Sequence, residues 1–169
     1  MSAPDPRTTP LFEVVQVTPW RDRGTQFLER LRAAGWDLPD FGRAWSAGGR
    51  LACSVRPGRW LLITERASDT PDGALHAACA AAIGDSGAVT DLTAARRAWR
   101  LLDPNTRERL AAGCRLDLDP AVFPNGHATV TPIAQVPVMV VALDAGWLLM
   151  APSSFGGHLD DWLRDVGLG

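Results

Sequence analysis

Four residues recur with a single letter changed: Trp-Leu-Leu-Ile from Trp60, in GRWLLITE, and Trp-Leu-Leu-Met from Trp147, in GWLLMAPSSF. A second pair of words precedes them in the same order, ERLRAAGWDLP from Glu29 and ERLAAGCRLDLDP from Glu108. Both run from a helix-like segment through a glycine stop to an acidic, leucine-containing exit that ends in Pro. Matching words in matching order constrain the fold strongly, because a repeated unit must bury its apolar face against its copy. Glu29 and Glu108 lie 79 positions apart, and Trp60 and Trp147 lie 87 apart. The second copy therefore holds an insertion of about eight residues, placed most naturally in LDPAVFPNGH.

Each half is expected to be built on a strand-helix-strand-strand-helix unit. FEVVQV (residues 12–17) is rich in β-branched and apolar types and reads as a strand. In RDRGTQFLERLRAAGW, Phe27, Leu28 and Leu31 form an apolar helix face, and Gly35 stands where a C-cap belongs. FGRAWSA and RLACSV flank Gly48–Gly49 as a hairpin, and RWLLITE follows the Pro57–Gly58 turn. TPDGALHAACAAAIG reads as an Ala-rich helix opened by Thr70 and Pro71 and closed by Gly84. The second copy supplies AVTDL and RAWRLL as strands, then DPNTRERLAAG as a helix with Asp103 as N-cap, Pro104 in the first turn and Gly113 as C-cap. HATVTPI, PVMVVAL and WLLMA are its remaining strands, with Pro137 at a strand start. SSFGGHLDDWLRDVG is its last helix, capped by Ser153 or Ser154, with Phe155, Leu159, Trp162 and Val166 facing the core. The expected architecture is one α+β domain over residues 11–169, with halves of about 11–85 and 86–169. Residues 1–10, MSAPDPRTTP, read as a flexible N-terminal arm without the apolar core of a signal peptide.

The chain has 169 residues, 46% of them hydrophobic and 21% charged, which fits one packed domain rather than disorder. The net charge of -2, without a basic stripe, argues against a nucleic-acid partner. VPVMVVAL is too short to cross a bilayer, so no membrane partner is expected and the location is read as cytoplasmic. There is no Lys and no Tyr, and all 17 basic residues are Arg. That removes Schiff-base lysines, P-loop lysines and tyrosine acids from the possible chemistry. Cys53, Cys79 and Cys114 match neither a disulfide framework nor zinc-ligand spacing and read as buried thiols.

No catalytic set emerges. His76, His127 and His158 have no second His at helical metal-ligand spacing. His158 stands near Asp160 and Asp161, where a plain surface ion pair is the ordinary reading and an oriented imidazole base the sharper one. Ser153–Ser154 lacks the flanks of a nucleophile elbow, and no G-x-G-x-x-G follows a strand. Asp117 and Asp119 alternate on an exit segment and read as solvated loop acids rather than a cation site. On a strand, Arg96 and Arg100 share one face and Arg97 the other, serving ion pairs in the fold or to a partner chain rather than a bound anion. Seven Trp is a high count. Trp60 and Trp147 hold equivalent strand starts and read as core, whereas Trp20 precedes a charged helix start and suits an interface.

The exit loop GCRLDLDPAVFPNG, Gly113 to Gly126, closely resembles the Gly-Cys-x-Leu-Asp-Leu-x-Pro-x-x-Phe-Pro-x-Gly signature of the sarcosine oxidase gamma-subunit family. GRWLLI, TDLTAARRAWRLL and PSSFGGHLDDWL are similar to further blocks of that family, so the resemblance covers roughly residues 12–166. LLDPNT departs from the family's usual Leu-Ser-Gly-Pro, and Ser153 stands where Arg is frequent. The family is related to the folate-binding domain of the glycine-cleavage T-protein, itself an internal duplication, which implies a folate-binding aminomethyltransferase-like fold here. The resemblance implies a mainly structural gamma subunit of a heterotetrameric oxidase with alpha-, beta- and delta-type partners. Such a complex converts sarcosine to glycine and hydrogen peroxide and passes the one-carbon unit to tetrahydrofolate. FAD, FMN, NAD, zinc and tetrahydrofolate are then expected on the partner subunits, with no cofactor, metal or catalytic residue on this chain. Trp20, Arg97, Phe123 and His127 are the side chains expected at subunit interfaces. Two alternatives stay open: a stand-alone folate-binding or one-carbon transfer protein, with an acid gripping the pterin between the halves, and the small subunit of a related N-methyl amino acid dehydrogenase.

Overall fold

The computed structural model describes residues 11–67 and 69–168. The expected arm at residues 1–10 lies outside the described residues. The first sheet is built from β1 (Phe12–Pro19), β2 (Ala44–Ala47), β3 (Arg50–Arg56), β4 (Arg59–Glu65) and β5 (Gly87–Asp91), with helices α1 (Gly24–Ala33) and α2 (Ala74–Ile83) between them. The second is built from β6 (Arg96–Leu101), β7 (Ala128–Ile133), β8 (Val136–Leu143) and β9 (Gly146–Pro152), with α3 (Thr106–Leu110) and α4 (Gly156–Asp165). All named strand pairs are antiparallel, and the fold is α+β.

The strand orders are β2-β3-β4-β1-β5 and β6-β9-β8-β7. Read from its other edge, the second sheet runs β7-β8-β9-β6, so each sheet places its elements in the same sequence. The extra strand is β5. AVTDL, expected to open the second half, instead pairs with β1 from Val15↔Asp91 to Pro19↔Gly87. The alternating pattern of those residues suits an edge strand of either sheet, and the vacant edge of β1 lies beside them as α2 ends.

The sheets pack face to face with helices outside, giving four layers. Period-two alternation explains how. On β8, Val138, Val140 and Ala142 face α3 and α4, while Met139, Val141 and Leu143 face the first sheet. On β1, Val15 and Val17 face α1 and α2, while Val14 meets the second sheet. Burial on both faces is why VPVMVVAL is a nearly continuous apolar run. Pro132 and Pro137 stand opposite each other, so two residues without an N–H share one rung.

Helix faces and caps depart from expectation. In α1, Phe27 and Leu31 are fully buried but Leu28 is 39% exposed. Thr70 and Pro71 sit in a turn ahead of α2, which begins after left-handed Gly73 without a side-chain cap of its own. A first-turn N–H is satisfied from outside instead: Leu75 N donates to Glu13 Oε2 at 3.2 Å. Asp103 is not the N-cap of α3, which follows Asn105; its carboxylate accepts from Asn105 N at 2.7 Å in an Asx turn. Ser153 and Ser154 form a 3-10 turn and cap nothing. That turn rotates the entry to α4, so Gly156, Leu159 and Leu163 are buried while Phe155 is 42% exposed.

Candidate docking surface and inter-sheet cleft

The exit loop holds the second half together and ties it to the first. Cys114, Leu118 and Phe123 are buried in the core under α3 and α4. The Phe123 ring lies nearly parallel to Trp147, centroids 6.2 Å apart. The Arg107 guanidinium lies 5.2 Å from the Trp147 centroid and donates to Leu118 O, fixing the loop against α3. Gly126 is left-handed (φ 78°), the backbone state that favours glycine, and this lets the loop turn into β7. Its N–H donates to Ala142 O and its carbonyl accepts from Ala44 N, each at 2.8 Å. Ala128 N donates to Gly42 O at 3.0 Å, and Arg43 bridges His127. The short segment 126–128 thus sews β2 and β7, the matching edges of the two sheets.

The residues expected at interfaces are scattered. Trp20 is 53% exposed, while its backbone N–H is anchored on Ser86 O at 3.0 Å, giving a fixed aromatic on the surface. Arg97 faces α4, pairing with Asp160 at 2.7 Å beside Trp99, whose indole N–H donates to the same carboxylate at 2.8 Å. The Arg97 guanidinium is therefore engaged within the fold. Phe123 is 6% exposed, so its ring is a core side chain and not a surface for a partner, contrary to expectation. His127 is half-buried, with Nδ1 3.0 Å from Pro124 O and 3.1 Å from Arg43 Nη1.

Arg96 and Arg100 do take the face opposite Arg97. Arg100 meets Glu65 at 3.3 Å, linking the sheets, and Arg96 lines a cleft between them. His158 has neither expected partner: its Nε2 is 3.0 Å from Ala134 O, Asp160 is held by Arg97 and Trp99, and Asp161 pairs with Arg164 at 2.8 Å. Asp117 and Asp119 each accept a backbone N–H two residues on, from Asp119 and Ala121, so they shape the loop. Cys53, Cys79 and Cys114 are free and buried. Burial pushes the Cys53 thiol up to about 12 and the Cys79 thiol up to about 11, well away from a reactive thiolate.

The cleft between the sheets has a volume of about 260 Å³. Arg56, Arg59, Arg96, Gln16 and Trp60 form its polar side, and Met139 and Met150 its apolar floor. Among the described residues no carboxylate lines it. An acid between the halves, as a pterin grip requires, is therefore not what this cleft offers. Trp60 departs from the core role expected of it. It is only partly buried, with its ring 6.1 Å from Phe27 and its indole N–H donating to Pro39 O at 2.8 Å, whereas Trp147 is buried. Arg56 and Arg59 were not legible as cleft residues, because they flank an ordinary Pro-Gly turn and only sheet packing brings them to Arg96.

No family model matches the chain. Three curated proteins named sarcosine oxidase subunit gamma are similar to it. The protein of Corynebacterium sp. (strain P-1) is 35% identical over 110 residues, 63% of this chain and 54% of that protein. The protein of Corynebacterium sp. (strain U-96) is 29% identical over 127 residues, 73% of this chain and 58% of that one. The Arthrobacter sp. protein is 31% identical over 110 residues. The chain thus spans little more than half the length of these relatives. Among solved structures, a chain of the heterotetrameric sarcosine oxidase from Corynebacterium sp. U-96, in complex with pyrrole 2-carboxylate, aligns with TM-score 0.78 and 26% identity. The alignment covers 93% of this chain and 80% of that one. The glycine cleavage system aminomethyltransferase T from Bartonella henselae shares the fold, with TM-score 0.62 and 15% identity over 92% of this chain and 44% of that one. In sequence the chain is similar to proteins named sarcosine oxidase subunit gamma, and in fold to a chain of the heterotetrameric sarcosine oxidase.

Proposed function

We propose that this chain is the gamma-type subunit of a cytoplasmic, heterotetrameric sarcosine oxidase-like complex, and that its own role is structural. The observation that carries the reading is the match to a chain of the heterotetrameric oxidase over 93% of this chain. On this reading alpha-, beta- and delta-type partners hold FAD, FMN, NAD, zinc and tetrahydrofolate. The complex oxidises sarcosine with oxygen, giving glycine, hydrogen peroxide and 5,10-methylenetetrahydrofolate. The repeated strand order is the product of an internal duplication, with β5 added to the first copy. A structural role is consistent with how the polar groups are used: Arg97, Asp160, Arg107, Asp117 and Asp119 all serve contacts within the fold. Trp20 is the proposed anchor to a partner, because an exposed indole on a fixed backbone is the usual make-up of an interface hot spot. Co-expression with tagged alpha-, beta- and delta-type subunits tests the reading. The chain should co-purify, and omitting it should abolish assembly or oxidase activity. An active tetrahydrofolate-dependent oxidase that forms without it would refute the role.

A further inference from the structure

The buried residue least explained by packing is Glu13, 3% exposed on a strand whose other buried residues are all Val. Its parity matches Val15 and Val17, so it points into the layer between the first sheet and its helices. One oxygen, Oε2, satisfies the α2 N-terminus through Leu75 N. The other, Oε1, is buried and has no hydrogen-bond partner. A buried carboxylate oxygen left this way is costly unless something occupies the space before it.

That space is a pocket of about 210 Å³ between the C-terminal end of α1, helix α2 and the sheet. Its floor is a single polar row. Glu13 stands opposite Thr64 on β4, and Thr64 opposite Arg50 on β3. Adjacent strands are about 4.8 Å apart, so the carboxylate and guanidinium rise from backbones about 10 Å apart with a hydroxyl between. Arg50 lies 5.3 Å over the Trp36 ring, and its Nη1 donates to Ala34 O and Gly35 O at 2.9 and 3.1 Å. Those bonds fix the guanidinium while leaving Nη2 and Nε outside them. The acid and the base line one cavity without closing on each other. The room above them exists because α2 presents Ala78 and Ala82 there, one turn apart. This gives the Ala-rich stretch of α2 a purpose beyond helix propensity.

We propose that this pocket binds a small α-amino acid. The ammonium meets Glu13 Oε1, the carboxylate meets the free edge of Arg50, and Thr64 hydrogen-bonds between them. The alanine, leucine and cysteine walls admit only a short apolar side chain. A lone cation or a lone anion satisfies one end of the row, and a zwitterion satisfies both. The proposal is independent of the subunit reading, since it concerns the folded chain itself.

Calorimetric titration of the full chain with L-alanine, methylamine and acetate tests it. L-Alanine should bind saturably and at least about tenfold more tightly than either half-ligand. Glu13→Gln and Arg50→Gln should each weaken it about tenfold or more, with circular dichroism unchanged. Ala78→Leu, at an exposed helix position on the pocket wall, should block binding while leaving the Glu13–Leu75 bond in place, and it decides the matter if Glu13→Gln does not fold. Absence of saturable binding up to about 10 mM L-alanine, or wild-type affinity in folded Ala78→Leu, overturns the proposal.

Discussion

At the scale of single residues, the exit-loop motif is explained by packing. Phe123 fills the space beside Trp147, and that pair closes the core beneath α3. Phe123→Ala should therefore cost about 3–5 kcal/mol, read as a lower urea midpoint in equilibrium unfolding. A change below about 1 kcal/mol would mean that the loop is not a core element. Asp85 is a different kind of fastening. Arg30 Nη1 reaches its Oδ1 at 2.9 Å and Arg23 Nη1 its Oδ2 at 3.0 Å, tying α1 to the 3-10 turn Gly84–Ser86. The Arg30 hydrogen bond and then the Arg23 charge hold its carboxyl below the ordinary 3.8. A depressed folded value means that the stabilising effect is present above 3.8 and fades as pH falls through the folded value. Asp85→Asn should accordingly flatten the acid limb of the stability–pH curve and leave its shape at neutral pH unchanged. The buried thiols act at the other end. Their folded values, about 11 for Cys79 and about 12 for Cys53, lie above the ordinary 9.0. The stability they contribute is complete below 9.0 and is lost as pH rises toward 11 and 12. Cys79→Ala should soften the alkaline fall measured by unfolding between those limits. The role of Asp85 was not legible in sequence, because its two arginines are distant along the chain; the thiols did read as buried, but how far burial raises them is set by the helix and sheet around them.

At the scale of elements, most strands and helices were legible because their apolar periodicity is strong and Gly and Pro punctuate it. The hairpin at Gly48–Gly49 and the stop at Gly35 (φ 84°) follow from local chemistry alone. What escaped was decided by contacts between elements. Leu28 and Phe155 belong to apolar runs, yet the helices are rotated so that Phe27, Leu31, Leu159 and Leu163 are the residues buried. The cap of α2 comes from Glu13, 62 residues away, so no local motif announces it. The placement of β5 shows the same dependence. A Cβ at Gly87 would lie 2.5 Å from Thr18 O and 2.6 Å from Phe27 Cδ2, so β5 can approach β1 and α1 only because the residue is glycine. Gly87→Val should displace β5 and lower stability by about 1–3 kcal/mol, with increased amide exchange in residues 87–91 as the local readout.

At the scale of the whole molecule, two sheets of like strand order clasp a shared core and are sewn together at residues 42–44 and 126–128. The candidate site was only partly legible. Trp20 is exposed on the surface, whereas Phe123 lies in the core and Arg97 pairs with Asp160. An aromatic in a loop motif reads alike whether it faces a partner or its own core, and only tertiary packing separates the two. Among the described residues no helix is long and apolar enough to cross a membrane. Trp20→Ala should leave the fold intact and weaken capture by partner subunits by about 2 kcal/mol or more, a loss that surface-immobilised binding resolves. The most direct measurement is native mass spectrometry of the four co-expressed subunit types, paired with an oxygen-uptake assay on sarcosine. The expected result is one complex containing one copy of this chain, with uptake lost when the chain is omitted. A three-subunit complex of full activity, with this chain found only alone, would contradict the account.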